Sequence, residues 1–218
     1  MIKGIIFDLD GTLLDTIEDL ADSVNAALSE VGKPGHDTAK VQSFVGNGMV
    51  RLVERALGEP FDPELVEQVL ARFKEHYARL YTNKTVPYPG LKDVVDISKA
   101  WGLKLGVCSN KANKYVKPLI DLHFGSETFD FVLGEVDYIP RKPDPAMALE
   151  VAANMGVRPS ECLYVGDSTV DIQTGKAAAM PVCAVSYGFQ SEALLETFEP
   201  HYMVHDADGL LGLIKALI

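Results

Sequence analysis

The chain has 218 residues, with 20 Lys and Arg against 31 Asp and Glu and a net charge of −11 at neutral pH. Its 47% of apolar residues can bury a substantial core, while the acidic excess argues against a nucleic-acid partner, whose phosphates need a basic footprint. No apolar run approaches the ~20 residues of a membrane span, and the N-terminus lacks the layout of a signal peptide, so a cytoplasmic chain without a membrane partner is expected.

The run Gly4-Ile5-Ile6-Phe7 has nothing polar in alternation and reads as a central strand buried on both faces. It ends in Asp8-Leu9-Asp10-Gly11-Thr12. Ionised carboxylates at the end of a buried strand are costly unless a cation offsets them, and Mg²⁺ prefers carboxylate and phosphate oxygen. Apolar residues at Ile17, Leu20, Ala21, Val24, Leu28 and Val31 then predict a helix over 16–31, capped by Asp15 and stopped by Gly32 and Pro34. Two shorter helices are expected over about 37–44 and 47–57, broken by Gly46-Asn47-Gly48. Pro60 and Pro63 introduce a longer amphipathic helix running through Leu65, Val69, Phe73, Tyr77 and Leu80. No strand candidate falls between Asp15 and Lys84, so a helical block is inserted after the first strand.

From Pro87-Tyr88-Pro89-Gly90 onward the pattern alternates. Helices over 91–101, 111–123, 144–155 and 170–178 interleave with strands over 104–108, 129–133, 162–165 and 182–185, before a short strand near 202–204 and a helix over 207–217. Such alternation predicts an α/β fold, a Rossmann-like doubly wound parallel sheet with an inserted all-helical domain. Residues 1–14 and 88–218 would form the α/β core, and 15–87 the helical insert with hinge linkers at both ends. Cys108, Cys162 and Cys183 lie in strand-like segments and read as buried thiols of a reducing compartment.

Ligands of open parallel sheets bind at the carboxyl ends of the strands. The predicted strand ends carry Asp8 and Asp10, then Ser109-Asn110-Lys111, then Arg141-Lys142 in the loop before a helix, and last Gly166-Asp167-Ser168 followed by Asp171. Singly these have ordinary readings: Ser109 or Asp167 as helix caps, Lys142 as a solvated lysine. Together, acids, a hydroxyl at a helix start and a lysine are the parts of a Mg²⁺-dependent phosphoryl-transfer site. The five histidines show no metal-ligand spacing.

Asp8-Leu9-Asp10-Gly11-Thr12, Ser109, Lys142 and Gly166-Asp167 with Asp171 resemble, in order, the four motifs of the haloacid dehalogenase superfamily, and the match spans the whole chain. The resemblance implies that Asp8 is a nucleophile forming a phosphoaspartate and that Asp10 is the general acid and base. It implies Mg²⁺ held by Asp8, the backbone carbonyl of Asp10 and Asp167, with Asp171 one helical turn on, orienting metal-bound waters. Lys142, Ser109, Thr12 and N–H groups around Leu9, Gly11 and Asn110 would hold the phosphoryl group, helped by the positive end of a helix beginning near Lys111.

The helical insert resembles the small helical cap of that superfamily, whose closure excludes water. Val45-Gly46-Asn47-Gly48 before Leu52-Val53-Glu54-Arg55-Ala56-Leu57, with Asp19-Leu20-Ala21 and Ser109-Asn110-Lys111, is similar to the phosphoglycolate phosphatase group. That implies a substrate-binding role for Gly46, Asn47 and Gly48. Arg51 and Arg55 read as solvated, as surface arginines usually are. The expectation is a Mg²⁺-dependent phosphatase, monomeric or dimeric, acting on a small phosphorylated metabolite, 2-phosphoglycolate. The alternatives are a sugar-phosphate, nucleotide or pyrophosphate phosphatase, a β-phosphoglucomutase-like phosphotransferase, or a non-catalytic regulatory protein.

Overall fold

In the computed structural model, which describes residues 1–60 and 62–218, the run Gly4–Phe7 forms strand β1, with every residue buried. The described residues divide into two compact units, Met1–Leu14 with Pro87–Ile218, and Asp15–Val86. The chain passes between them through two short strands, β2 (Leu14–Asp15) and β3 (Val86–Pro87).

In the larger unit β1 lies inside a six-stranded sheet with β4 (Lys104–Ala112), β5 (Phe131–Glu135), β6 (Cys162–Gly166), β7 (Val182–Val185) and β8 (Tyr202–Val204). The order is β5-β4-β1-β6-β7-β8 and every pairing is parallel. Ile6 of β1 sits opposite Gly106 on one side and Tyr164 on the other. A strand with two parallel neighbours and helices on its faces has no wet side, so its apolar run is unbroken. The order reverses between β1 and β6, which places the switch point of the sheet where Asp8 and Asp167 emerge.

Helices α5 (Leu91–Ala100), α6 (Asn113–His123), α7 (Ala146–Met155), α8 (Thr169–Ala177), α9 (Glu192–Glu196) and α10 (Ala207–Leu217) flank the sheet. Met147 and Val151 of α7, Ile172 of α8 and Leu195 of α9 share one core cluster with Ile6, Cys108, Tyr164 and Val182. Cys108, Cys162 and Cys183 are buried free thiols, each pushed up to about 12 by burial.

The smaller unit holds α1 (Ile17–Glu30), α2 (Thr38–Gln42), α3 (Gly48–Leu57) and α4 (Pro63–Leu80). Leu20, Val24 and Leu28 of α1 and Val69, Phe73 and Tyr77 of α4 are buried. Asp37 and Asp62 cap α2 and α4, accepting from the N–H groups of Lys40 at 2.7 Å and Glu64 at 3.0 Å. The cap position of α1 is Thr16, not Asp15 as the sequence suggested, although the Asp15 carboxylate does accept from Ile17 N at 3.2 Å. Asp19 is wholly buried and accepts from the N–H and hydroxyl of Thr85 at 2.9 and 2.8 Å and from Lys84 N at 3.0 Å. That carboxylate ties the first turn of α1 to the segment beyond α4.

Three expected boundaries move. Strand β4 runs on to Ala112, because Ser109–Lys111 stays extended and Ala112 pairs with Glu135 across a register shift; α6 therefore starts at Asn113 rather than near Lys111. Strand β5 begins at Phe131, two residues late, since the Asp130 carboxylate accepts from Leu105 N. Helix α7 begins at Ala146, where the Asp144 side chain accepts from the Ala146 N–H at 2.9 Å. Among the described residues no helix is long and apolar enough to cross a membrane.

Candidate active site

Asp8 continues the ladder of β1, its N–H donating to Val165 O at 2.9 Å, so its side chain leaves the sheet at a fixed place. The carboxylate accepts from Leu9 N at 2.7 Å and pairs with Lys142 Nζ at 2.9 Å. Lys142 also reaches Asp171 Oδ1 at 2.7 Å and the Cys108 carbonyl at 3.0 Å, and is only 3% exposed. Burial alone would depress the Lys142 ammonium, but the charges of Asp171 and Asp8 carry it above its ordinary range. Burial pushes the Asp8 carboxyl up to about 7, aided by the charge of Asp171 and opposed by Lys142.

Lys142 is held from behind. The Asn110 carboxamide accepts from Lys142 N at 2.9 Å and donates to Lys142 O at 3.0 Å, so both polar ends of Asn110 bind the lysine backbone. The sequence suggested a phosphoryl contact from the N–H groups around Asn110; its side chain meanwhile fixes Lys142. Ser109 is buried, and its hydroxyl oxygen accepts from Lys111 N at 3.2 Å.

Asp167 follows β6 and is 2% exposed. One oxygen accepts from the Thr12 hydroxyl at 3.0 Å and the other from Phe189 N at 2.7 Å. Thr12 is thus wholly buried and committed to Asp167. Gly11 adopts φ +86°, and its N–H donates to Leu14 O at 2.9 Å, closing the turn after Asp10. A Cβ on Gly11 would strike the Asp167 carboxylate, and one on Gly188 would overlap Asp167 Cβ and the Gly11 carbonyl. Tyr187, beside Gly188, donates its hydroxyl to Thr12 O at 3.0 Å. The segment Tyr187-Gly188-Phe189 therefore clamps Asp167 against the Asp10 turn, and nothing in the sequence reading singled it out.

Asp171 was expected one helical turn past Asp167 on a shared face. The structure corrects this: Asp167 precedes the helix, Ser168 is its N-cap, and Asp171 closes a capping box. Asp171 Oδ2 accepts from Ser168 N at 3.1 Å and Ser168 Oγ at 2.5 Å, while Oδ1 faces Lys142, so both oxygens are engaged. Asp8, Asp167 and Asp171 still each bring an oxygen within 4.8 Å of the others. Burial pushes Asp167 well above the usual carboxylate range, and the charges of Asp171 and Asp8 add to the rise. Three acids this close could hold a hard cation, with Asp8 and Asp167 keeping oxygens toward it while those of Asp171 are engaged.

Asp10 stands outside that group. Its Oδ1 pairs at 2.7 Å with the ammonium of Lys111, whose side chain is 5% exposed. Lys111 was not picked out as a site residue: it lies in the stretch of β4 where the register shifts between Cys108 and Ala112, and no simple periodicity marks it.

In the helical unit Gly46 and Gly48 adopt φ +111° and +79°, and Asn47 occupies the cap position of α3 without a side-chain capping bond. Arg55 was expected to be solvated, but it straps this turn. It donates to Phe44 O at 2.8 Å and Asn47 Oδ1 at 2.7 Å, whereas Arg51 bonds Glu54, one turn on, at 2.8 Å.

A buried carboxylate at the end of a central strand, paired with a lysine and close to further acids, makes a polar site at the switch point of a doubly wound sheet. Residues 5–185 match the haloacid dehalogenase-like hydrolases, and the chain belongs to that family. A phosphoglycolate phosphatase from Pseudomonas putida is 36% identical over 212 residues, covering 95% of this chain and 78% of that protein. One from Psychrobacter arcticus is 34% identical over 220 residues, 97% and 96% of the two chains. A solved structure from Lactobacillus delbrueckii subsp. bulgaricus, provisionally named a phosphoglycolate phosphatase, superposes with a TM-score of 0.93 at 35% identity, covering 97% of this chain and 98% of that one. A β-phosphoglucomutase from Clostridium difficile shares the fold, with a TM-score of 0.79 at 22% identity.

Proposed function

We propose that the protein is a Mg²⁺-dependent phosphatase that hydrolyses 2-phosphoglycolate to glycolate and phosphate through a phosphoaspartate at Asp8. The observation that carries this reading is the buried pairing of Asp8 with Lys142 at 2.9 Å inside a cluster of three carboxylates. The names of the relatives above support the substrate.

Asp8 attacks phosphorus with a carboxylate oxygen, and the P–O bond to the leaving group breaks. Asp10 gives its proton to the departing oxygen, and glycolate leaves as the alcohol. Water then attacks the phosphoaspartate; Asp10 takes its proton, the bond from phosphorus to the Asp8 oxygen breaks, and phosphate is released. Lys142 and the Ser109 hydroxyl balance the charge on the transferring oxygens as preorganised donors. Asp8, Asp167 and the Asp10 backbone carbonyl would hold Mg²⁺, which supplies positive charge to the phosphoryl group. Asp171, with both oxygens bonded, fixes Lys142 and the start of α8. The Gly46-Asn47-Gly48 turn of the helical unit contributes to substrate choice.

Phosphate release across a panel of 2-phosphoglycolate, hexose phosphates, nucleotides and pyrophosphate tests the reading. The highest kcat/KM is expected for 2-phosphoglycolate, and a higher value for any other member refutes the substrate assignment.

A further inference from the structure

Lys111 has no part in the mechanism above, yet it is a buried cation directly beside the acid that serves the leaving group. Strand β4 runs on through Ser109, Asn110 and Lys111 to Ala112 across a register shift, and that path brings Lys111 to Asp10. The Lys111 ammonium lies 2.7 Å from Asp10 Oδ1, with the two side chains 5% and 14% exposed. Asp10 hands its proton to the ester oxygen, so a group bonded to its carboxylate stands next to whatever that oxygen carries. In 2-phosphoglycolate the oxygen carries a single CH₂ and then a carboxylate. Lys142 is held by Asp8, Asp171 and the Cys108 carbonyl at the phosphoryl side of the site. An ammonium has three donors and can bridge two carboxylates. The chain as a whole carries −11, so an anionic substrate needs local cations where its charges come to rest.

We infer that Lys111 determines specificity in this site, as the cation that receives the carboxylate of an acidic phosphomonoester. The inference rests on the phosphatase reading above and deepens it.

Ethyl phosphate is the test partner, since it replaces the carboxylate of 2-phosphoglycolate with a methyl group and keeps the rest. The quantity to measure is the ratio of kcat/KM for 2-phosphoglycolate over ethyl phosphate, in which any loss transmitted through Asp10 cancels. Lys111→Met should lower that ratio at least ~10-fold, mainly through KM for the acidic ester, as expected for a lost charged hydrogen bond. Lys111→Arg, which keeps the charge, should recover most of it. An unchanged ratio in Lys111→Met, however large the common loss, overturns the inference and leaves Lys111 serving Asp10 alone. A wild-type ratio near one would instead refute the 2-phosphoglycolate reading, and the inference with it.

Discussion

Lys142 Nζ lies 2.9 Å from Asp8 Oδ1, with the two side chains 2% and 12% exposed. A buried ion pair contributes little net stability while intact, but removing one partner leaves the other uncompensated at a cost of roughly 3–5 kcal/mol. Here the loss would be felt twice, since Lys142 also faces Asp171 at 2.7 Å. Lys142→Met should therefore destabilise the protein by ~3 kcal/mol or more in denaturant unfolding and abolish turnover. A variant of wild-type stability would mean that the pair does not compensate Asp8.

The three-carboxylate cluster should make stability depend on Mg²⁺. A ligand at 100 times its dissociation constant stabilises by about 2.7 kcal/mol, and thermal unfolding with Mg²⁺ or with EDTA should differ accordingly. Asp167→Ala should erase the difference, whereas Asp10→Asn should keep it and lower kcat by ~10²-fold or more. Identical Mg²⁺ responses in the two variants would contradict their separate roles.

Gly188→Ala places a methyl group against Asp167 Cβ and the Gly11 carbonyl. The clamp must open for it to fit, taking Phe189 N away from the Asp167 carboxylate. Mg²⁺ affinity measured by calorimetry should weaken at least ~10-fold while the far-ultraviolet spectrum stays that of the wild type. Unaltered affinity would show that Asp167 needs no such support.

Arg55 closes the Gly46-Asn47-Gly48 turn through Phe44 O and Asn47 Oδ1. Arg55→Ala should lower kcat/KM for 2-phosphoglycolate by ~10-fold, about 1.4 kcal/mol, and lower that for ethyl phosphate less. Equal losses on the two esters would confine the turn to the folding of the helical unit.

The sheet was legible because its strands are local: Ile5-Ile6-Phe7 and Val182–Val185 announce themselves by apolar runs that stop at a polar residue, Asp8 and Ser186. The strand ends were legible for the same reason, and Asp8, Lys142 and Asp167 do come together beyond the carboxyl ends of the central strands. What the sequence hides is which polar atom meets which. Ser109–Lys111 looks like a helix start, but it continues β4 across a register shift to Ala112, and Lys111 meets Asp10. Thr12 and Asn110 also hold partners far along the chain, Asp167 and Lys142, which no local pattern announces. Tyr187-Gly188-Phe189 carries no charge and no periodic signal; its role comes from close approach, which a glycine permits and does not advertise.

Asp8 is the residue expected to become phosphorylated, and trapping the acyl phosphate would locate it. Protein quenched during turnover of 2-phosphoglycolate and treated with hydroxylamine should carry an aspartyl hydroxamate at residue 8, located by peptide mass spectrometry. Asp8→Asn should show neither the adduct nor turnover. An adduct at another residue, or substantial phosphate release by Asp8→Asn, would contradict the account.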